Sequence, residues 1–102
     1  MLQNYNMLFE FMEVLGKKWI VPLLVFLLLY EKTNFNTIKK RLRLTSRALS
    51  KKLKLLEAFG LIEKIILDNP KKAVYTLSEK GKEISQMILD FAANVSKNIP
   101  NN

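Results

Sequence analysis

Apolar residues recur along this chain with two periods, and the change falls just after Gly60. Before that point the spacing is helical. Leu8, Phe11, Met12 and Leu15 follow i, i+3, i+4, i+7 and predict a helix over residues 4–15, which Gly16 ends. Met7, Phe9 and Val14 widen its apolar surface beyond what one core face needs, so packing on its own core and packing on a second copy stand level. Residues 19–30 are apolar on every side, which predicts a buried helix. Its Ile and Val content would also suit a strand, but its length and Leu-rich second half favour the helix. Pro22 fits only near the first turn, where its missing N–H costs nothing, and Trp19 reads as core packing. Glu31–Asn34 reads as a polar connector. Asn34 or Asn36 then caps a short helix ending near Leu42, with Phe35, Ile38 and Leu42 inward. The sharpest pattern is Thr45 to Leu61. Thr45-Ser46 suits a helix cap, Phe59-Gly60 a helix end, and Leu49, Leu53, Leu56 and Phe59 share one side at about 100° per residue.

After Gly60 the residues turn β-rich. Leu61–Leu67 and Ala73–Leu77 read as strands, joined by the turn sequence Asp68-Asn69-Pro70-Lys71-Lys72. Ser78 caps a last helix over 79–97, with Glu79 in its first turn and Gly81 weakening its start. Ile84, Met87, Ile88, Phe91 and Val95 give that helix one apolar stripe, and Asn98–Asn102 are expected to fray. Two short helices joined by a tight turn and followed at once by a hairpin predict a winged helix-turn-helix. The fold class is mainly α with a small β-hairpin wing (α+β), as a single domain over residues 1–102. The turn before Thr45 lacks the glycine often found there.

Charge changes the picture from fold to partner. The net charge is +8, and residues 31–60 hold nine Lys/Arg against two Glu. Residues 1–30 sum to zero. On the helix from Thr45, Arg47, Ser50, Lys51 and Lys54 fall opposite the leucine stripe, and Glu57 enters only near its end. A helix that needs only solubility mixes its charges, so this face points to a polyanion, with double-stranded DNA the leading partner. An anionic membrane fits less well, because the apolar stripe is regular enough to belong to a core. The longest apolar run, Trp19–Tyr30, is too short to span a bilayer and is interrupted by Pro22. Its position and its lack of a small-residue cleavage site also argue against a signal peptide, so a cytoplasmic location is expected.

The chain has no cysteine and no histidine, which excludes disulfides, thiol chemistry, Cys/His zinc sites and His-based acid–base catalysis. The acids Glu10, Glu13, Glu57, Glu63 and Asp90 show no paired spacing with a nucleophile, and no glycine-rich phosphate loop is present. No catalytic residue, metal site or cofactor is expected, and no small-molecule effector is identified; a pocket at a dimer interface would have to be small.

Several residues in order also carry a resemblance. Lys18-Trp19 precedes an apolar helix, and Phe35 opens the third helix. Leu49-Ser50-x-x-Leu53-Lys54-x-Leu56-Glu57-x-x-Gly60-Leu61-Ile62 follows, then Pro70 in the turn, Val74-Tyr75-x-Leu77 and Ser78-Glu79-Lys80-Gly81. Together these resemble the HxlR family of winged-helix transcriptional regulators over roughly residues 16–90. The MarR and PadR families share the Leu-x-x-Leu-x-x-x-Gly-Leu core and the wing. The resemblance implies a homodimer built from the first and last helices, a DNA-reading helix at 46–59 and a wing at 68–72. It departs in two places. Many members carry an N-terminal cysteine, in some used to sense oxidants or electrophiles, and this chain has none. Lys17 stands where a second glycine often precedes the Lys-Trp pair.

The expected DNA contacts are Lys18, Arg41, Arg43, Thr45, Ser46, Arg47, Ser50, Lys51, Lys54, Lys71 and Lys72. Arg47 is the candidate for a base edge, Ser50 and Lys51 read or position, and Lys54 reaches the backbone. Lys39, Arg41 and Arg43 would clamp phosphates, and Lys71 and Lys72 would contact the minor groove or backbone. For Lys39, Lys40 and Lys52 simple solvation stands level with contact. The expected dimer residues are Leu8, Phe11, Met12, Leu15, Ile84, Met87, Ile88, Phe91 and Val95. A nonspecific architectural DNA binder and a winged-helix protein-interaction module are the alternatives; the second predicts an apolar or acidic face where this one is basic.

Overall fold

A computed structural model describes residues 5–97 of the chain. The expected fraying of Asn98–Asn102 lies outside the described residues. The elements run α1 (Tyr5–Gly16), α2 (Ile20–Tyr30), β1 (Thr33–Asn34), α3 (Phe35–Leu42), α4 (Ser46–Ala58), β2 (Ile62–Leu67), β3 (Lys72–Leu77) and α5 (Glu79–Lys97).

The apolar α2 is the centre of the molecule, with Ile20, Leu23, Leu24, Phe26 and Leu27 all buried. Pro22 is its third residue, where the backbone N–H would have no partner inside the helix, and the first bond follows at once from Leu23 N–H to the Trp19 carbonyl (2.9 Å). Trp19 is half-buried and turns the chain from α1 into α2 with a positive φ of 74°. Around α2 pack Ile38 of α3, Leu49, Leu53 and Leu56 of α4, and Leu61, Ile62, Tyr75 and Leu77 from the sheet region.

The sheet has one strand more than the sequence suggests. Thr33 and Asn34, expected as connector, pair antiparallel with Tyr75 and Val74, so the order is β1-β3-β2. Two residues are too few to show an alternation, and only a partner strand distant in sequence makes them a strand. Asn34 also caps α3, its side-chain oxygen accepting from the Thr37 N–H at 2.9 Å. The hairpin follows expectation to within a residue, running in register from Ile62 opposite Leu77 to Leu67 opposite Lys72, with a cis Asn69–Pro70 bond in its turn.

Helix ends set the angles between elements. After α4, Gly60 takes a φ of +71°; its N–H bonds the Glu57 carbonyl (2.9 Å) and the Leu61 N–H bonds that of Leu56 (3.0 Å). This is a Schellman end, and the left-handed residue in it is the glycine. Ser78 caps α5 by accepting from the Gly81 N–H (3.0 Å). The same hydroxyl donates to the Gly60 carbonyl (2.6 Å), and the Ser78 N–H bonds that of Leu61 (3.0 Å), so α5 starts against the end of α4. Gly81, expected only to weaken α5, has a positive role in this junction. A Cβ there would fall on the Leu61 carbonyl oxygen.

Candidate nucleic-acid interface

The predicted recognition helix begins as the sequence suggests. Thr45 is extended, and its hydroxyl accepts from the Ala48 N–H at 3.1 Å. From there the two sides of α4 separate cleanly. Leu49, Leu53 and Leu56 are buried, while Arg47, Lys51 and Lys54, spaced i, i+4, i+7, are exposed along one stripe. Ser46 is exposed and Ser50 half-buried at the edge of that stripe. Phe59, expected in the core stripe, is half-buried after the last turn, its ring 6.2 Å from that of Phe11 in α1.

The turn between α3 and α4 makes without glycine a conformation that glycine usually supplies. Arg43 takes φ 56° and ψ 47°, and both its N–H and that of Leu44 bond the Lys39 carbonyl. Left-handed backbone costs a side-chain-bearing residue on the order of 1 kcal/mol. Arg43 is nonetheless an exposed arginine, two residues before the Thr45 cap. Arg41 is exposed on α3, with its guanidinium carbon 5.5 Å from the ring centroid of Tyr30 at the end of α2. The Tyr30 ring stacks in turn on Phe26 at 4.5 Å. Tyr30 was not among the expected site residues; an aromatic at the end of an apolar helix gives no local sign of what it will meet.

The other expected contacts lie apart from the helix-turn-helix in the chain. Lys71 and Lys72 are exposed at the tip of the hairpin, the second as the first residue of β3. Lys18 is exposed in the turn between α1 and α2. Lys39 and Lys52 are half-buried and Lys40 exposed. Among the described residues no Lys or Arg forms an ion pair with a carboxylate, so the positive charge of the middle segment is not neutralised within the fold.

The expected dimer residues divide. Phe11, Leu15, Ile84 and Ile88 are half-buried and pack against the core. Leu8, Met12, Met87, Phe91 and Val95 are exposed, Phe91 by 70%. On α5 the fully buried positions are Gly81 and Ser85, four residues apart, beside the half-buried Ile84 and Ile88. A mostly apolar cleft of about 380 Å³ lies between α1, the end of α4 and the start of α5, lined by Met7, Leu8, Phe11, Phe59, Lys80 and Ile84. No group of three or more acidic side chains that could hold a metal occurs among the described residues, and no helix there is long and apolar enough to cross a membrane.

Residues 14–102 match the profile of the HxlR-like helix-turn-helix family. The chain belongs to that family. It is 36% identical over 78 residues to the HTH-type transcriptional regulator YvaP of Bacillus subtilis, covering 74% of this chain and 71% of that one. Among solved structures, the reduced form of the transcriptional regulator YodB from B. subtilis superposes with a TM-score of 0.76 at 26% identity, covering 91% of this chain and 93% of that one. The redox regulator HypR in its oxidised form gives 0.74 at 27% identity, covering 90% and 97%. The fold is therefore a winged helix-turn-helix and the protein an HTH-type transcriptional regulator, in a family of regulators rather than enzymes. These 102 residues contain no cysteine, so they hold no thiol on which a redox switch could act.

Proposed function

We propose that this protein is a homodimeric, cytoplasmic regulator that binds double-stranded DNA sequence-specifically, with α4 in the major groove. The observation that carries the reading is the stripe of exposed cations Arg47, Lys51 and Lys54 on a helix whose opposite side is core. Insertion of the first turn of α4 would bring its free backbone N–H groups, the Ser46 hydroxyl and the positive end of the helix dipole to a phosphate. Arg47, one residue further, would grip a guanine edge with its planar fork. Ser50 and Lys51 follow on the groove side, and Lys54 reaches the flanking backbone. Arg41 and Arg43 would hold phosphates beside the turn, Lys71 and Lys72 would bind from the wing, and Lys18 would add a flanking phosphate contact. Two copies joined through α1 and α5 would present two such helices about one turn of DNA apart, ~34 Å, to a roughly palindromic site.

Fluorescence anisotropy tests this with two labelled duplexes, the DNA upstream of the protein's own gene and a shuffled control, across several salt concentrations. The wild type should bind the first duplex far more tightly, with affinity falling steeply as salt rises. Arg47→Ala should cost about 1–3 kcal/mol on that duplex and little on the control. Equal, salt-sensitive binding to both duplexes would indicate an architectural role instead. Absence of binding at moderate salt would leave the protein-interaction reading.

A further inference from the structure

We propose that Tyr30 is a positioning residue for DNA binding, holding the Arg41 guanidinium ready for a phosphate. The inference rests on the reading of the chain as a DNA binder and names a residue that reading does not use.

The argument begins with Phe26. Its ring is 8% exposed in the core and gives the Tyr30 ring, one helical turn on, a fixed surface to stack on at 4.5 Å and 28°. Tyr30 is 49% exposed, although it ends a helix whose inner residues are almost fully buried. Arg41 lies over the Tyr30 ring at 5.5 Å from its centroid, within the range at which a guanidinium is attracted to an aromatic quadrupole. Phe26, Tyr30 and Arg41 thus form a line of contacts that runs from the core to the surface and ends in a charge. No carboxylate pairs with that charge among the described residues.

An unsupported surface arginine spreads over many rotamers and gives up that freedom when it is fixed. Stacking on an aromatic face restricts the side chain in advance while leaving its edge N–H donors free, because the ring takes the flat face and a phosphate takes the edge. Part of the ordering cost is then met in folding rather than in binding. Arg41 sits at the exit of α3, two residues before the left-handed Arg43 and four before the Thr45 cap, in the most cationic part of the chain.

The test is a double-mutant cycle on the upstream duplex, read by anisotropy over a range of salt, with thermal melts to check that each variant folds. Tyr30→Leu should weaken binding about two- to five-fold. Tyr30→Phe, which keeps the ring, should restore wild-type affinity. Arg41→Gln should weaken binding and lower the salt slope by about 0.9, one phosphate contact. In the Arg41→Gln background Tyr30→Leu should have no further effect. Should Tyr30→Leu fail to fold, Arg41→Lys carries the test: charge and slope are kept while affinity falls. An unchanged slope in Arg41→Gln, or the same loss from Tyr30→Leu with and without Arg41, overturns the proposal while leaving the DNA-binding reading intact. A folded wild type that binds no DNA overturns both.

Discussion

Arg43 shows how much one backbone angle can say. Its left-handed conformation, φ 56°, is the one Gly60 supplies after α4, where no side chain is needed. A non-glycine residue in that region is strained by on the order of 1 kcal/mol, and such strain concentrates at functional sites. We expect Arg43→Gly to raise stability by roughly 0.5 kcal/mol, since relief of strain exceeds the entropy glycine adds to the unfolded chain. The same change should weaken DNA binding and lower the salt slope by about 0.9. Urea denaturation and salt-dependent anisotropy on one preparation measure both, and unaltered binding would reduce Arg43 to a turn residue. Residues with short-range jobs were legible in advance. Asn34, Thr45 and Ser78 each cap a helix three residues ahead, so the donor and acceptor lie within one window of sequence. Arg43 and Tyr30 were not so legible, the first in its backbone angle and the second in its role, because neither is written in the identity of the neighbours.

Among elements, the junction of α4, β2 and α5 decides how the hairpin and the last helix stand relative to α4. Ser78 ties Gly60 and Leu61 to the start of α5, and Gly81 lets the two backbones meet. Replacing a helix-interior glycine by alanine ordinarily stabilises by about 1 kcal/mol. Here the sign should reverse. The added methyl collides with the Leu61 carbonyl, and Gly81→Ala should cost about 1–3 kcal/mol, the range for overpacking. Thermal melting checks it: a raised midpoint would mean that α5 does not lie this close. The sequence marked Gly81 as a local weakness, which is correct for the helix alone and incomplete for the fold. Likewise β1 exists only through Tyr75 and Val74, some forty residues away in the chain.

For the whole molecule, the surface divides by chemistry. Among the described residues unpaired cations gather on α3, α4 and the wing, and most of the exposed large apolar side chains stand on α1 and α5, with Leu29 and Tyr30 of α2 and Ile66 and Leu67 of β2 exposed as well. Isolated exposed apolar residues are ordinary, but Leu8, Met12, Met87, Phe91 and Val95 lie on just two helices, the sequence-distant ends of one chain. Because Phe91 is 70% exposed, Phe91→Lys should leave the monomer fold intact. It should shift the sedimentation coefficient from dimer to monomer and weaken binding to a two-half-site duplex by at least ten-fold, with little change on a single half-site. Sedimentation velocity alongside anisotropy makes the comparison, and a Phe91→Lys dimer would remove this face from the interface.

The sequence by itself determined what depends on period, local chemistry and charge. Helical and strand spacing set the order of elements, hydroxyl and amide side chains set the starts of α3, α4 and α5, and the placement of Lys and Arg set the cationic face of α4. Each of these is read within a few residues. Only the tertiary structure decided what depends on partners far apart in the chain. That includes the third strand, the close approach that needs Gly81, the division of the apolar residues of α5 between the core and solvent, and the contact of Arg41 with Tyr30. In each case the deciding quantity is a distance between segments that the sequence separates and the core brings together.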